Sequence, residues 1–334
     1  MNLHRASGQW RLGLSLSLFT ALCWATLPIA LKIVLQEVDA ITLTWFRFLV
    51  ATVFTGAWLG LRGRLGGYRA LGRSGWVMLT IAGLMLLGNY VFYLLGVQHT
   101  SPANTQLLIQ LAPLLMALGG IWVFGEHFRA AQWLGLAMLV AGLLLFSWDQ
   151  WQGAQGAGYL FGSLLVVIAA VVWAIYALLQ KQLLLKLGSM QILLCIYALA
   201  TLVLWPFAHP SMLLDLDLAH WLLLGYCALN TIGAYGAFAE ALAHWEASRV
   251  SAVLATTPLL CIAASAAVAA LWPGWLAPER IAWLGWLGAA LAVAGSAAVS
   301  LMGRRARATL TVPPSRPPPE GSTNVGAVAG ESAR

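Results

Sequence analysis

Arg47 is a charged residue inside the apolar run 40–61. It lies about six residues from the start of that run, which at 1.5 Å of rise per residue puts it roughly 9 Å into a helix. A guanidinium that faces lipid at such a depth costs several kcal/mol, so Arg47 must face protein, water or a bound partner. We therefore expect it to contact an anionic substrate group such as a carboxylate. The alternative is a structural arginine that caps carbonyls or extends its stem toward the membrane surface.

Glu240 is an acid inside another apolar run, 219–243. An acid that gains and loses a proton during transport needs a pKa raised by burial. Glu240 is therefore our candidate for proton coupling. The alternative is a glutamate at the membrane interface that reaches water or pairs with Arg249.

Two amides stand one helical turn apart before a proline. Gln106 and Gln110 have i, i+4 spacing, and Pro113 lies nearly on the same face. Because proline cannot donate a backbone hydrogen bond, it frees the carbonyl of Ile109. The pattern predicts one wall of a substrate cavity, with Thr257 before a later proline as its counterpart. The alternative is hydrogen bonding that holds neighbouring helices together.

Aromatic side chains are the remaining candidates for substrate contact. With 17 tryptophans in the chain, most must serve packing or the membrane interface. The positions predicted to offer stacking faces to a substrate are Trp24, Tyr90, Tyr93, Trp173, Tyr176 and Tyr235.

Nothing in the sequence predicts a metal, a cofactor or an enzyme. The four cysteines are single and lack Cys-x-x-Cys spacing, and the histidines lack ligand partners. The chain has no nucleotide-binding GxxxxGK[ST] loop. A membrane-embedded transferase would need clustered His, Asp or Cys near one membrane face, which is absent. The other alternative to a carrier is a membrane scaffold or regulator that does not transport.

Composition places these residues on membrane helices. Charged residues make up 9% of the 334 and apolar residues 61%, whereas soluble domains carry about 25% charge. We predict an all-α integral membrane protein with ten transmembrane helices. The predicted helices are 12–35, 40–61, 74–97, 102–124, 129–148, 158–181, 190–208, 219–243, 248–273 and 280–302.

Charge distribution predicts the orientation. Most lysines and arginines flank alternate helix ends, and Lys32 and Arg280 are the exceptions. The positive-inside rule then puts both termini in the cytoplasm, so the net charge of +7 indicates topology rather than binding to nucleic acid. We expect residues 1–11 to form a short cytoplasmic tail. Residues 303–334 are rich in Pro, Arg, Ser and Gly and are predicted to be disordered.

The hydrophobic part of the chain contains an internal repeat. A spacing of 149 residues (173 − 24) aligns Trp24 with Trp173, and the same spacing aligns Lys32 with Lys181. A spacing of 145 (235 − 90) aligns the next two helices of each unit, and 153 (279 − 126) aligns the last. The units are 12–148 and 158–302. Because each holds five helices, an odd number, the second must be inverted, which is the architecture of alternating-access carriers.

Glu126 and Glu279 recur at the break before the last helix of each unit. A carboxylate there meets unpaired amides and the positive end of the helix dipole. We expect each to cap the helix that follows it. The alternative is a pair of charges that latch the two access states.

The repeated module resembles the drug/metabolite transporter superfamily, in its ten-helix EamA-type branch. The residues that carry the resemblance are Arg47, Pro113, Gly125, Glu126, Gly135, Gly142, Pro258, Glu279, Gly288 and Gly295. The resemblance implies an inner-membrane carrier that exports amino acids, related metabolites or toxic amphiphiles. Its expected partners are a small-molecule substrate and the lipid bilayer, as a monomer or homodimer. Ala277 and Pro278 before Glu279 depart from the family, which more often has Gly before Glu.

Overall fold

A computed structural model describes residues 9–124, 130–153, 157–245 and 247–302, and these ranges contain helices but no β-strand. The predicted all-α class is confirmed. The first repeat supplies α1 Trp10–Val34, α2 Ala40–Leu61, α3 Gly72–His99, α4 Pro102–Leu108, α5 Leu111–Phe124 and α6 Ala130–Gly153. The second supplies α7 Ala157–Leu183, α8 Ser189–Leu204, α9 Leu218–His244, α10 Ala247–Leu254, α11 Thr257–Leu271 and α12 Trp283–Met302. Three 3₁₀ turns cover Tyr68–Leu71, Trp205–Phe207 and Pro210–Asp215.

The number of membrane crossings stays a prediction. Seven helical segments of the described residues are long and apolar enough to cross a membrane. Two-residue turns separate α4 from α5 and α10 from α11, so the twelve α-helices form ten segments (12 − 2) when each pair counts as one. The tail predicted at 303–334 lies outside the described residues.

Prolines explain both broken segments, which were predicted as continuous helices over 102–124 and 248–273. Pro258 cannot donate to Leu254, and the hydroxyl of Thr257 donates to that carbonyl instead. In the first repeat, the carbonyl of Ile109 accepts from the amide of Ala112 at 2.9 Å. The expectation that the Ile109 carbonyl is free for a substrate is therefore wrong in this conformation.

Equivalent helices of the two repeats pack against each other in opposite directions. Along α2 and α8, Trp45 contacts Trp205 at 5.3 Å between ring centroids, and the hydroxyls of Thr52 and Thr201 lie 3.3 Å apart. Thr52 and Thr201 are themselves equivalent (201 − 52 = 149), so an approximate two-fold axis passes between them. The antiparallel packing confirms the predicted inversion of the repeats.

The α6 and α12 helices repeat this relation through closely packed glycines. A Cβ on Gly142 would contact Gly288 and Ala292, and a Cβ on Gly295 would contact Gly135 and Leu139. These two sets of contacts exchange under the two-fold relation. Small residues allow the helix backbones to approach closely in a membrane.

The remaining helices form two bundles that each draw on both repeats. In the first bundle, α1 packs against α9, α10 and α11; in the second, α7 packs against α3, α4 and α5. Each helix of the first bundle is the repeat equivalent of one helix of the second bundle. We call the end where α1 and α3 finish the Lys32 end, and the end where α7 and α9 finish the Lys181 end.

The two bundles meet at one end. At the Lys32 end, α1 packs against α3 and α4, and α4 packs against α11. The counterparts at the Lys181 end are α7 with α9 and α10, and α5 with α10. In the part of the chain that the structure describes, these pairs make no comparable packing. The fold is therefore two-fold in its topology but closed at a single end.

Candidate functional site

The guanidinium of Arg47 is held by residues from two other helices. Arg47 is 3% exposed, and its Nε and Nη2 donate to the Thr231 hydroxyl at 3.1 and 3.0 Å. That hydroxyl donates in turn to the carbonyl of Cys227 at 3.0 Å, so its lone pairs face Arg47. The guanidinium carbon lies 4.8 Å from the ring centroid of Tyr90, a cation–π distance. Arg47 thus contacts side chains inside the bundle rather than extending to the membrane surface.

An aromatic layer supports this arrangement from behind. The ring of Phe48 lies 4.6 Å from Tyr90 and 5.8 Å from Tyr197 between centroids. All three residues are buried. Phe48 therefore packs against Tyr90, and Tyr90 also contacts Arg47.

A second aromatic group joins α1, α7 and α9. Trp24 meets Tyr235 edge-on at 5.4 Å and Phe238 at 5.7 Å between centroids. Trp173, the repeat counterpart of Trp24, lies close to the side chain of Tyr235. Although side chains of three helices surround it, Tyr235 is 37% exposed. It therefore lines an open internal space rather than a packed core.

Tyr93, Gln106 and Tyr176 complete the group. The Tyr93 hydroxyl donates to Gln106 Oε1 at 3.3 Å and lies near Arg47 and Tyr235. Tyr176 meets Trp173 edge-on at 6.4 Å and lies near Tyr235. The structure thus brings most of the predicted substrate residues to the centre of the bundle.

No hydrogen bond or ring contact of the described residues joins three of the predicted residues to this group: Gln110, Thr257 and Glu240. Gln110 lies in the turn after α4, with its buried Nε2 lacking a partner there. The hydroxyl of Thr257 donates a hydrogen bond to the carbonyl of Leu254. The break between α4 and α5 also means that Gln106 and Gln110 do not share one continuous helix face.

Glu240 lies away from the centre. Its side chain is 63% exposed, and its Oε1 is 3.1 Å from Nε2 of His244. This exposure is what the interfacial alternative predicts, with His244 rather than Arg249 as the observed neighbour. Proton coupling through Glu240 stays a hypothesis, because the burial that it requires is absent in this conformation.

The central site carries the positive charge of Arg47, and no carboxylate of the described residues is bonded to it. Seven of the eleven acids fall in the described ranges, and apart from exposed Glu240 they lie in loops or near helix ends. The ion pairs found there each involve a histidine. Those ranges also contain no cluster of three His, Cys, Asp or Glu side chains that could hold a metal.

Glu279 does not cap the helix that follows it, contrary to expectation. Its Oε1 accepts from the amide of Ala103 at 3.4 Å, at the start of α4 in the other repeat. Asp149 of α6 instead accepts from the amide of Ala282, just before α12, at 3.2 Å. Burial raises the pKa of Glu279, and hydrogen bonds from Ala103 and Ser101 and the charge of Lys32 offset part of the rise. Its counterpart Glu126 lies outside the described residues.

Comparison with known proteins agrees with this architecture. The model of the EamA-like transporter family matches the chain twice, over residues 11–148 and 160–301. The chain belongs to the EamA-like transporter family. Both halves of the fold therefore carry the family module.

Several relatives of this EamA-like protein share nearly its whole length. The uncharacterized inner membrane transporter YhbE of Escherichia coli K12 is 38% identical over 302 residues, which cover 89% of this chain and 93% of YhbE. An uncharacterized transporter of Haemophilus influenzae is 33% identical over 286 residues, covering 85% of this chain and 93% of the relative. One solved crystal structure, 21% identical, has a TM-score of 0.59 and covers 90% of this chain and 100% of its own, which shows a likeness of fold.

Several residues that contact the predicted residues of the EamA-like site were not predicted from the sequence. Thr231 and Phe48 position Arg47 and Tyr90, and Phe238 extends the Trp24 group. Thr231 gave no signal, because a threonine in a membrane helix usually bonds to its own backbone. Lys32 did give a signal in the sequence, because it is a lysine inside an apolar helix. Its equivalent position in the second repeat, Lys181, is also a lysine.

Proposed function

We propose that this protein is a secondary active transporter that exports a small metabolite across the inner (plasma) membrane by alternating access. The family membership and the relatives named as transporters support transport, and YhbE is named as an inner membrane protein. The proposed substrate is an amino acid or a related amphiphilic solute.

The observation that carries this proposal is the one-sided closure of the two bundles. The two bundles are repeat equivalents of each other, and they meet at the Lys32 end. Within the described residues, they lack comparable packing at the Lys181 end. Exchanging the two packings would close the other end and open this one at little cost in contacts. Inverted repeats around a central site work in this way.

The central site supports a substrate that combines a carboxylate with an apolar or aromatic part. Arg47 is a buried cation without an acidic partner among the described residues, and burial of an unpaired charge is costly. A carboxylate would form charge-assisted hydrogen bonds with the guanidinium. Trp24, Tyr235 and Trp173 offer aromatic faces beside it.

The proposed direction is export, as the resemblance to EamA-type carriers implies. If both termini are cytoplasmic, the Lys32 end faces outward and the Lys181 end faces the cytoplasm. The conformation described then has its open end toward the cytoplasm, where an exporter collects its substrate. Proton coupling is a further hypothesis, for which Glu240 and the half-buried Glu279 are the candidates.

Counterflow in proteoliposomes tests the proposal. Purified protein is reconstituted with one unlabelled amino acid inside, and accumulation of the same labelled amino acid is measured across a panel of amino acids, their amides and cationic amphiphiles. We expect saturable counterflow of at least one carboxylate-bearing solute and none of its amide. Absence of counterflow for the whole panel would favour a membrane protein that does not transport.

For coupling, pH-driven flux is compared with solute exchange in Glu240→Gln and Glu279→Gln. The coupling residue is the one whose variant loses pH-driven flux and keeps exchange. If both variants keep pH-driven flux, neither acid couples transport to protons.

A further inference from the structure

Two connections between helices pack together at the Lys181 end. The first joins α2 to α3, and the second joins α7 to α8. The side-chain amide of Gln191, on α8, donates to the carbonyl of Arg64 at 3.0 Å and also to that of Gly66. The ammonium of Lys186 donates to the carbonyl of Leu71 at 3.3 Å. The two connections therefore form one continuous surface.

This surface is strongly basic. Residues 62–73 and 184–191 contain no acid, and their cations are Arg62, Arg64, Arg69, Arg73 and Lys186. We call Arg62, Arg64, Arg73 and Lys186 the basic surface, and all four are exposed. In the part of the chain that the structure describes, none of the four forms an ion pair with an acid. Their charges are therefore available to an anionic partner.

Apolar side chains border the basic surface. Leu61 and Leu185, each next to a cation in the chain, are 90% and 80% exposed. The guanidinium of Arg62 lies 4.0 Å from the ring centroid of Trp58, a cation–π distance. Because tryptophan is enriched where a membrane meets water, we expect Arg62 to lie at the level of the lipid headgroups. A partner of this surface must offer an anion next to apolar groups.

The equivalent surface at the Lys32 end has the opposite charge. Thr42 is the repeat equivalent of Gln191 (42 + 149), and its hydroxyl also bonds to the facing connection, where it accepts from the amide of His209 at 2.8 Å. The connections at that end, residues 35–39 and 205–217, contain no lysine or arginine, and their acids are Glu37, Asp39, Asp215 and Asp217. The same packing thus carries cations at one end and acids at the other, so the packing itself does not require a basic surface.

We propose that the basic surface binds the headgroup of an anionic phospholipid. The headgroup phosphate accepts charge-assisted hydrogen bonds from the guanidinium groups, and the acyl chains lie along Leu61, Leu185 and Trp58. A water-soluble anion has no apolar part that could contact these side chains. If both termini are cytoplasmic, the basic surface faces the leaflet whose anionic lipids attract basic segments. Lipid binding goes beyond the proposed transport and does not depend on it.

A lipid titration of the purified protein in neutral detergent tests the proposal. The midpoint of thermal unfolding is measured against the concentration of phosphatidylglycerol and, separately, of phosphatidylcholine with the same acyl chains. We expect phosphatidylglycerol to raise the midpoint in a saturable way and phosphatidylcholine to leave it unchanged. Equal effects of the two lipids would overturn the proposal. So would an equal effect of glycerol 3-phosphate, because the apolar contacts would then contribute nothing.

The triple variant Arg62→Gln/Arg64→Gln/Lys186→Gln removes three cations of the basic surface. We expect it to weaken the apparent affinity for phosphatidylglycerol by at least about tenfold, the factor that corresponds to 1.4 kcal/mol. The matched control is Arg304→Gln/Arg305→Gln/Arg307→Gln, which removes the same charge from the C-terminal tail and should keep the affinity. An unchanged affinity in the first variant, or an equal loss in both, would contradict binding at this surface.

Salt provides a measurement on the wild-type protein in case the triple variant does not fold. Raising the ionic strength from about 0.1 to about 1 M shortens the Debye length from about 10 to about 3 Å. The affinity for phosphatidylglycerol should therefore fall at the higher ionic strength. An affinity that does not change with salt would rule out a headgroup held by exposed cations.

Discussion

Arg47 shows how a buried charge is kept inside a membrane bundle. Its partners are the hydroxyl of Thr231 and the face of Tyr90, both neutral. Neither Arg47 nor Thr231 has a polar counterpart in the other repeat, where the equivalent positions are Ile196 (47 + 149) and Leu86 (231 − 145). The molecule is nearly two-fold in its helices and asymmetric in this charge, so the proposed anion site has no equivalent at the corresponding positions of the other repeat.

We predict that Arg47→Gln weakens binding of a carboxylate substrate by about 30-fold or more, because loss of one partner from a buried charge pair costs about 2–5 kcal/mol. Arg47→Lys keeps the charge but loses the planar fork and should bind with intermediate affinity. Binding is measured by the concentration dependence of counterflow. The control is any transported analogue without a carboxylate, whose affinity should not change. Equal losses for both solutes would show that Arg47 has a structural role.

The sequence was enough to select Arg47, Tyr90, Trp24 and Tyr235, because charge and aromatic character in an apolar run are visible in the residue types. It could not select Thr231. The value of that hydroxyl comes from its position against a helix 184 residues away, and that relation is tertiary.

At the scale of elements, the α6 and α12 helices depend on the absence of side chains. A Cβ on Gly288 would lie 2.6 Å from the amide nitrogen of Phe146 and 2.7 Å from the carbonyl oxygen of Gly142. Backbone atoms cannot move aside as a flexible side chain can. A larger residue at Gly288 would therefore force α6 and α12 apart.

We predict that Gly288→Ala lowers the free energy of unfolding by about 1–3 kcal/mol, the usual cost of overpacking. The measurement is thermal unfolding of purified protein in detergent. Gly225→Ala is the matched control, since a Cβ at Gly225 on α9 meets nothing within 4 Å. The control should be as stable as wild type or slightly more so. If both variants unfold alike, the close approach of α6 and α12 does not limit stability.

Glu279 illustrates where sequence reasoning about elements stops. The pattern of an acid before a helix predicted an N-cap, but the carboxylate of Glu279 accepts from the amide of Ala103 in α4 of the other repeat, where Ser101 is the N-cap residue. The loop before α12 turns the carboxylate away from its own helix, and Asp149 supplies the substitute. A capping residue can be predicted from sequence, whereas the helix end that it reaches depends on how the loop packs.

The charge state of Glu279 should make closure of the Lys32 end depend on pH. Its pKa is raised above the ordinary 4.5 by burial in the closed end, so the closed form binds protons more strongly than an open, hydrated one. Closure is therefore favoured below 4.5 and weakens as the pH rises through the raised pKa. Hydrogen bonds from Ala103 and Ser101 and the charge of Lys32 act on Glu279. Tyr159 and Cys261 lie near its carboxylate, and Asp149 and Arg280 belong to the same loop contacts.

We predict that the fraction of molecules open at the Lys32 end rises as the pH increases from 4.5 through the raised pKa of Glu279. The distance between spin labels at Gln36 and Gln98, on the two sides of that end, measures this fraction. Glu279→Gln should flatten the dependence, because the amide does not titrate. Glu240→Gln, which changes an exposed acid at the opposite end, should leave the dependence unchanged. A pH profile that persists in Glu279→Gln would assign it to another group.

At the scale of the whole molecule, the proposed alternating access requires one sequence to encode two conformations. Composition predicts membrane helices, and the duplicated pattern predicts inverted repeats, because both are properties of the chain that every conformation shares. Which end is closed is a property of one conformation, so no residue pattern could reveal it. The broken helices α4/α5 and α10/α11 take part in the packing that differs between the two ends, so their prolines lie where the proposed exchange would bend the chain.

Locking one end should therefore stop the whole cycle. We predict that a short thiol cross-link between cysteines at Gln36 and Gln98 reduces counterflow to the background of protein-free liposomes, because a carrier must open each end in turn. The two single-cysteine proteins, treated with the same reagent, should keep their flux. A cross-link between Leu185→Cys and Ala243→Cys should also stop flux, although it should form more slowly, since that end is open here. Flux through fully cross-linked protein at either end would mean that solutes pass without exchange of the two bundles, and the closed Lys32 end would then be a fixed part of the fold rather than a gate.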